Sequence, residues 1–307
     1  MGERKVANQK IKLAAIGDIH DRWEPEDEAA LKFLGVDLAL FVGDFGNESV
    51  NIVQMIAEMQ IPKAAILGNH DAWYSATDWG ISKCPYDRQK EDRVQQQLDL
   101  LGDAHVGYGK LDFPNLKLSV VGSRPFSWGG SGWKNERFYR ERYGVHSLDE
   151  SVDRIMDAVD QTASNTIIFI GHNGATGMGA KPEDPCGKDW QPIGGDHGDP
   201  DFAIAIDQTR DRGKSVPLAV FGHMHHSLRH TQTELRRPIH VDAEGTVHLN
   251  AARVPRIIEE NGDRLRNFSI ITMENGAVTE ISLIWLNQNF ETVSQENLYR
   301  VQAEAIV

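Results

Sequence analysis

Two short strings place possible metal ligands two residues apart: Asp18-Ile19-His20 and His223-Met224-His225. In extended chain, residues i and i+2 fall on one side, so each pair can reach a common point. Asp44 is a lone carboxylate behind an apolar run, Asn69 and His70 are adjacent, and His172 stands alone. Carboxylate and amide oxygens mixed with imidazole suit Mn²⁺, with Fe or Zn²⁺ as alternatives, and no thiolate set marks a structural zinc site. Asp18, His20, Asp44, Asn69, His172, His223 and His225 are too many donors for one ion. If Asp44 bridges, two ions each receive four protein donors and keep room for water. Two divalent ions about 3.5–4 Å apart form a clamp for in-line displacement at phosphorus: they polarise the phosphoryl oxygens and turn a shared water into hydroxide near neutral pH. His70 is left over beside Asn69, suited to stabilise developing charge or to protonate the leaving oxygen. Asp71 is expected to orient its ring by accepting the other N–H.

These residues need elements that gather them. Each group follows a short aliphatic run ending in Gly: IKLAAIG before Asp18, LALFVG before Asp44, AAILG before Asn69, TIIFIG before His172 and PLAVFG before His223. Such runs predict buried strands. Between them, helical spacing covers Glu26 to Leu34, Ser49 to Met59 and Arg88 to Leu101. The strongest stripe is Leu148, Val152, Ile155, Met156, Val159 and Ala163, opened by a capping-box pattern at Ser147 and Glu150. Strands alternating with helices imply βαβ units and a largely parallel sheet buried on both faces, with ligands bound outside the carboxyl ends of the strands. One Gly-Asp or Gly-His after a strand is an ordinary turn; five converging on one rim are not explained by turn chemistry. Alternation at His240 to Asp242, Thr246 to Asn250, Phe268 to Met273 and Thr279 to Leu286, with Asn275-Gly276 as a turn signal, predicts antiparallel strands in a second sheet or an extension of the first. Residues after Asn287 are polar and are expected to finish as a short terminal helix or tail, 288–307. The simplest organisation is one α/β domain over 1–307, with the motif-bearing core at about 11–226 and a β-rich part at about 239–287.

The chain has 307 residues and a net charge of −13, which disfavours nucleic acid because phosphate backbones reward Lys and Arg; a nuclease is therefore a minor alternative. No apolar run reaches the ~20 residues of a membrane span. The N-terminus reads as neither a secretory leader nor a myristoylation site, since Val6 stands where Ser or Thr is expected after Gly2. Cys84 and Cys186 lie far apart and outside any CxxC pattern, as expected of reduced thiols, with one disulfide between them as the alternative. A soluble, cytoplasmic protein follows, with a small phosphorylated molecule rather than a membrane as its partner. Nothing in the sequence fixes the oligomeric state.

Three segments are long and poor in pattern: 72–87, 123–144 and 173–199. Such loops are usually functional, and they are expected to form the walls and lid of a cleft. The Gly-rich segment from Gly174 to Gly195 fits neither nucleotide-binding fingerprint and is expected to be mobile. Candidate substrate contacts are Asn47, Arg124 and His226, although Asn47 equally suits a helix N-cap. Trp128, Trp133 and Lys134 read better as a small aromatic core than as a substrate grip. His105, His146, His197, His230, His240 and His248 carry no metal spacing.

The ordered set GDIH (17–20), GD (43–44), GNHD (68–71), GH (171–172) and GHMH (222–225) resembles the calcineurin-like metallophosphoesterases over roughly residues 11–226. The resemblance implies a four-layer α/β/β/α sandwich with a dinuclear centre at one edge of two sheets. It gives the first ion Asp18, His20, Asp44 and His225, the second Asp44, Asn69, His172 and His223, and makes His70 the catalytic histidine. Protein phosphatases of the family carry GDxVDRG and GNHE; GDFGNES (43–49) lacks the phosphate-gripping Arg, and Asp71 replaces Glu, so that activity is not expected. Asp21 stands where Gly is common, and Asn173-Gly174 follows His172 where phosphodiesterase members carry an aromatic or Pro-containing stretch. The loop at 171–190 resembles a cyanobacterial and plastid subgroup, which would place the protein in a cyanobacterial cytoplasm. The expected activity is metal-dependent hydrolysis of a phosphomonoester or phosphodiester by metal-bridging hydroxide. The alternative is a metal-binding regulatory or scaffold protein with little catalysis.

Overall fold

The computed structural model describes residues 10–301. The expectations for an N-terminal leader or myristoyl site, and for the last six residues of the tail, lie outside that range.

The aliphatic runs form strands because both their faces are buried. In β1 (Lys10–Ile16), Ile11, Leu13 and Ala15 face one apolar layer while Ala14 and Ile16 face another. β2 (Leu38–Phe41) divides Leu38 and Leu40 from Ala39 and Phe41 in the same way. β6 (Thr166–Ile170) sends Ile168 and Ile170 to the shared layer, and Ile167 and Phe169 to its own helices. A strand covered on both sides reads as a continuous apolar run.

Two mixed sheets result. One has the order β13-β12-β11-β1-β2-β3, with β10 added beside β11; the other is β4-β5-β6-β7-β9-β8. The remaining strands are β3 (Lys63–Ala65), β4 (Lys110–Phe113), β5 (Leu118–Gly122), β7 (Ser215–Phe221), β8 (Ile239–Val241), β9 (Val247–Asn250), β10 (Ile257–Glu260), β11 (Asp263–Glu274), β12 (Ala277–Leu286) and β13 (Thr292–Arg300). β1-β2-β3 and β5-β6-β7-β9 are parallel, whereas β11 lies antiparallel against β1 and extends that sheet. The antiparallel strands foreseen near the C-terminus are therefore shared between the sheets. β8 and β9 complete the second, and β11 and β12, joined through Asn275-Gly276, extend the first. Within the terminal helix or tail expected after Asn287, Thr292–Arg300 instead form β13, an edge strand paired with β12.

α1 (Pro25–Phe33), α2 (Val50–Glu58), α4 (Arg93–Leu101) and α5 (Glu136–Tyr143) cover the outer face of the first sheet. α6 (Leu148–Asp160) and α7 (Pro200–Asp211) cover the second. The layers run helix, sheet, sheet, helix. α6 starts as its sequence requires: Ser147 Oγ accepts from Glu150 N at 3.2 Å, while Glu150 reaches back one residue further than a capping box, to His146 N at 2.7 Å. Two segments expected to lack pattern contain helices, the short α3 (Asp78–Ser82) and α5. Among the described residues no helix is long and apolar enough to cross a membrane, and Cys84 and Cys186 are both free thiols.

Candidate metal centre

Past the strand ends, the chain segments continue to pair. Asp18 N donates to Gly43 O at 3.0 Å, His20 N to Asp44 O at 2.9 Å, and Gly222 N to His172 O at 2.8 Å. Two further bonds cross between the sheets. His172 Nδ1 donates to Val42 O at 2.7 Å, and His223 N donates to Asp18 Oδ2 at 3.0 Å. The rims of both sheets are thereby locked together around one point. Asp18, His20, Asp44 and His223 all hold positive φ, between 45° and 64°. Non-glycine residues rarely adopt that conformation, and such strain collects at functional sites. The approach is close enough that a Cβ on Gly68 would stand 2.4 Å from Asp44 Oδ1.

The donors fall into two lobes. In the first, His20 Nε2 and His225 Nε2 are 3.2 Å apart, and Asp18 Oδ1 lies 3.3 Å from His225 Nε2 and 3.9 Å from His20 Nε2. In the second, Asn69 Oδ1 sits 2.9 Å from His172 Nε2 and 2.8 Å from His223 Nδ1, with Asp44 Oδ1 3.2 Å from His172 Nε2. Asp44 belongs to both neighbourhoods. It shares one cluster with His172 and His223, and another with His20 and His70, each with donor atoms within 4.8 Å of one another.

The donor set fits divalent cations. Asp18 Oδ1 is buried yet accepts no hydrogen bond of good geometry. His172 uses its Nδ1–H on Val42, so the lone pair of neutral Nε2 points at two oxygens that are themselves acceptors. Acceptors facing acceptors in a buried site need a positive charge between them. Without a metal, a proton supplies it. Burial opposes charging His172, but the Asp44 carboxylate overrides burial and lifts the imidazole to about 9. His225 follows the same logic, pushed down by burial and raised on balance by Asp18. Asp44 is driven up by burial and held well below the usual carboxylate range by the imidazoles, His172 foremost.

His70 stands beside this cluster. Its backbone N–H donates to Asp44 Oδ1 at 2.8 Å, its Nδ1 meets Asn47 Oδ1 at 2.6 Å, and its Nε2 lies 3.9 Å from Asp44 Oδ2. The ring is therefore oriented by Asn47, not by Asp71, and Asn47 serves as this partner rather than as a helix cap. Asp71 is fully buried and accepts N–H groups of Asp44 (2.9 Å), Phe45 (2.9 Å) and Gly68 (2.6 Å), which shapes the loop that carries Asp44. Burial and the Asp44 charge push the Asp71 carboxyl up, and the Gly68 and Phe45 N–H donors and the His172 charge oppose them. Burial also lowers the His70 imidazole.

The other two substrate candidates lie elsewhere. Arg124 is buried, with Nη2 2.9 Å from Asp199 and Nε 3.1 Å from Asp201, so its guanidinium is committed to α7. Removing one side of such a buried pair leaves charges uncompensated. Arg124→Met is expected to cost about 3–5 kcal/mol in urea unfolding, and a loss below about 1 kcal/mol would show that the pair carries no structural weight. His226 accepts from Val254 N at 3.2 Å and lines a cavity of about 110 Å³ with Leu235, Pro238 and Arg253; burial and Arg253 lower it to about 4.

The 173–199 segment, which carries the Gly-rich stretch Gly174 to Gly195 expected to be mobile, is wrapped around buried Arg236. Its Nη1 donates to Pro182, Asp184 and Gly187 carbonyls at 2.7–2.8 Å, while Nε reaches His225 O at 3.1 Å. Within it His197 lies parallel to His223, 6.5 Å between centroids. Trp73 stacks on His70 at 4.3 Å. Neither was singled out from sequence. Trp73 had a usable signal, three residues after His70 on a tight turn; His197 had none.

The sequence profile described as calcineurin-like phosphoesterase matches residues 11–227. One solved structure aligns with a TM-score of 0.51 at 11% identity, covering 95% of this chain and 100% of the other. TT1561 of Thermus thermophilus aligns at 0.49 and 10% identity, covering 95% and 100%. A dimetal phosphatase from Danio rerio aligns at 0.46 and 11% identity, covering 95% and 99%. At 11% identity the first of these likenesses concerns the fold alone. No curated protein matches the sequence. With the profile spanning more than half of its length and all five strand-end motifs, the chain belongs to the calcineurin-like phosphoesterase family.

Proposed function

We propose that the protein is a dinuclear metal-dependent hydrolase of phosphate esters, with Mn²⁺ as the metal and a small phosphorylated molecule as substrate. The observation that carries this is the convergence of both sheet rims on seven oxygen and nitrogen donors whose lone pairs face one another around buried Asp18 and Asp44. Asp18, His20 and His225 would hold one ion, Asn69, His172 and His223 the other, with Asp44 between them. Ions bound there supply Lewis-acid polarisation of the phosphoryl oxygens and an activated water.

The chain's own residues do the rest. His70, its Nδ1 fixed on Asn47, turns Nε2 toward the cluster, where it can stabilise the developing charge or protonate the departing oxygen. Its lowered affinity for protons makes the protonated ring the stronger acid. Asp71 keeps the Asp44 loop in shape without touching the reaction.

Protein stripped with chelator and reloaded with Mn²⁺ should cleave p-nitrophenyl phosphate or bis-p-nitrophenyl phosphate, and chelation should abolish the activity. Preference between the two esters separates monoesterase from diesterase. Metal uptake without cleavage of either would contradict the proposal.

A further inference from the structure

A row of aromatic rings starts at His70. Trp73 lies parallel to its ring, with 4.3 Å between centroids and a 14° tilt, and Trp128 lies parallel to Trp73 at 5.5 Å and 19°. Trp79 stands edge-on to Trp73 at 5.6 Å and 88°. Across the site, His197 lies parallel to His223, and Trp190 stands edge-on to His197 at 4.8 Å. His197 Nε2 sits 3.1 Å from Trp128 O, which joins both rows into one wall beside the Asn69, His172 and His223 lobe.

Trp79 is the open end of this wall. Trp79 is 58% exposed, an unusual state for a tryptophan. α3 does not need that indole as an anchor. Thr77 Oγ1 caps the helix by accepting from Gly80 N at 2.9 Å, and Gly80 presses so closely on Trp73 O that a Cβ there would stand 1.9 Å from it. Trp79 is thus held edge-on beside Trp73, two ring contacts from His70, with more than half of its surface open to solvent.

Resting on the phosphoesterase reading above, we propose that this centre takes phosphate esters whose alcohol side carries a planar aromatic ring system, stacked on Trp79 while the phosphoryl group lies at the metal ligands. A planar ring can cover an indole face and gain dispersion across it, which a flexible polar chain cannot. The ring chemistry is shared by nucleobases and simple aryl groups, so the test separates them.

Two pairs of probes are used with the full-length, metal-loaded protein. Adenosine 5′-monophosphate and ribose 5-phosphate share a leaving oxygen and differ in the base. 4-Phenylbutylphosphonate and 4-cyclohexylbutylphosphonate cannot be hydrolysed, carry the ring on a tether that can span the two ring contacts to Trp79, and differ in ring planarity; their dissociation constants are read from tryptophan quenching. The expected result is roughly tenfold tighter KM or Kd for the aromatic member of at least one pair. That ratio should fall toward one in Trp79→Ala and persist in Trp79→Phe. Preference in the nucleotide pair alone assigns a base, and preference in both pairs or the phosphonate pair alone assigns a general aryl site. Ratios near one in the unaltered protein, or ratios untouched by Trp79→Ala, overturn the ring site and leave the phosphoesterase reading standing. Failure to hydrolyse any ester overturns that reading instead, and the phosphonate titrations then decide the ring site alone.

Discussion

Asp44→Asn is expected to strip most of the bound metal and to lower turnover by at least about a thousandfold. Removing a buried carboxylate from between two cation sites removes the charge that offsets both. Asp44 Oδ1 lies 3.2 Å from His172 Nε2 and accepts from His70 N at 2.8 Å, while Oδ2 is 3.9 Å from His70 Nε2. An Asn oxygen can still accept from His70 N, so the loop persists while the charge is lost. Elemental metal content and kcat, measured on the same preparation, check the result. Full metal occupancy with undiminished turnover would contradict the role given to Asp44.

His70→Ala should separate rate from metal binding. The ring meets the cluster without being needed to complete either lobe, so metal content should be retained while kcat falls by roughly 10²–10⁴-fold, the usual range for a lost general acid or base. Asn47→Ala should give a smaller fall in kcat, because its oxygen touches the ring Nδ1 rather than the reacting atoms. Metal loss in His70→Ala as deep as in Asp44→Asn would reassign His70 as a ligand.

The strands and the rim they form were legible because burial on both faces leaves a continuous apolar signature in runs such as TIIFI and LALF. The partition into two sheets was legible only through the family resemblance of the five motifs, since parallel strands of either sheet carry the same apolar signature and only long-range pairing distinguishes them. β13 was missed for the opposite reason. It is an edge strand, exposed over most of its length, and its polar sequence carries no apolar face.

Asp71 was misread through adjacency to His70. The two sit on a 3-10 turn, Asn69–Ala72, where successive side chains point about 120° apart. Asp71 therefore turns inward to the Asp44 loop while His70 turns to the centre. Arg124 looked available because its partners, Asp199 and Asp201, lie 75 and more residues away and reach it only once α7 docks.

The most direct measurement is anomalous diffraction from a crystal grown in Mn²⁺. Two peaks about 3.5–4 Å apart are expected, one against Asp18, His20 and His225, the other against Asn69, His172 and His223, with Asp44 touching both. A single peak, or none, with those side chains turned away from each other, would contradict the account.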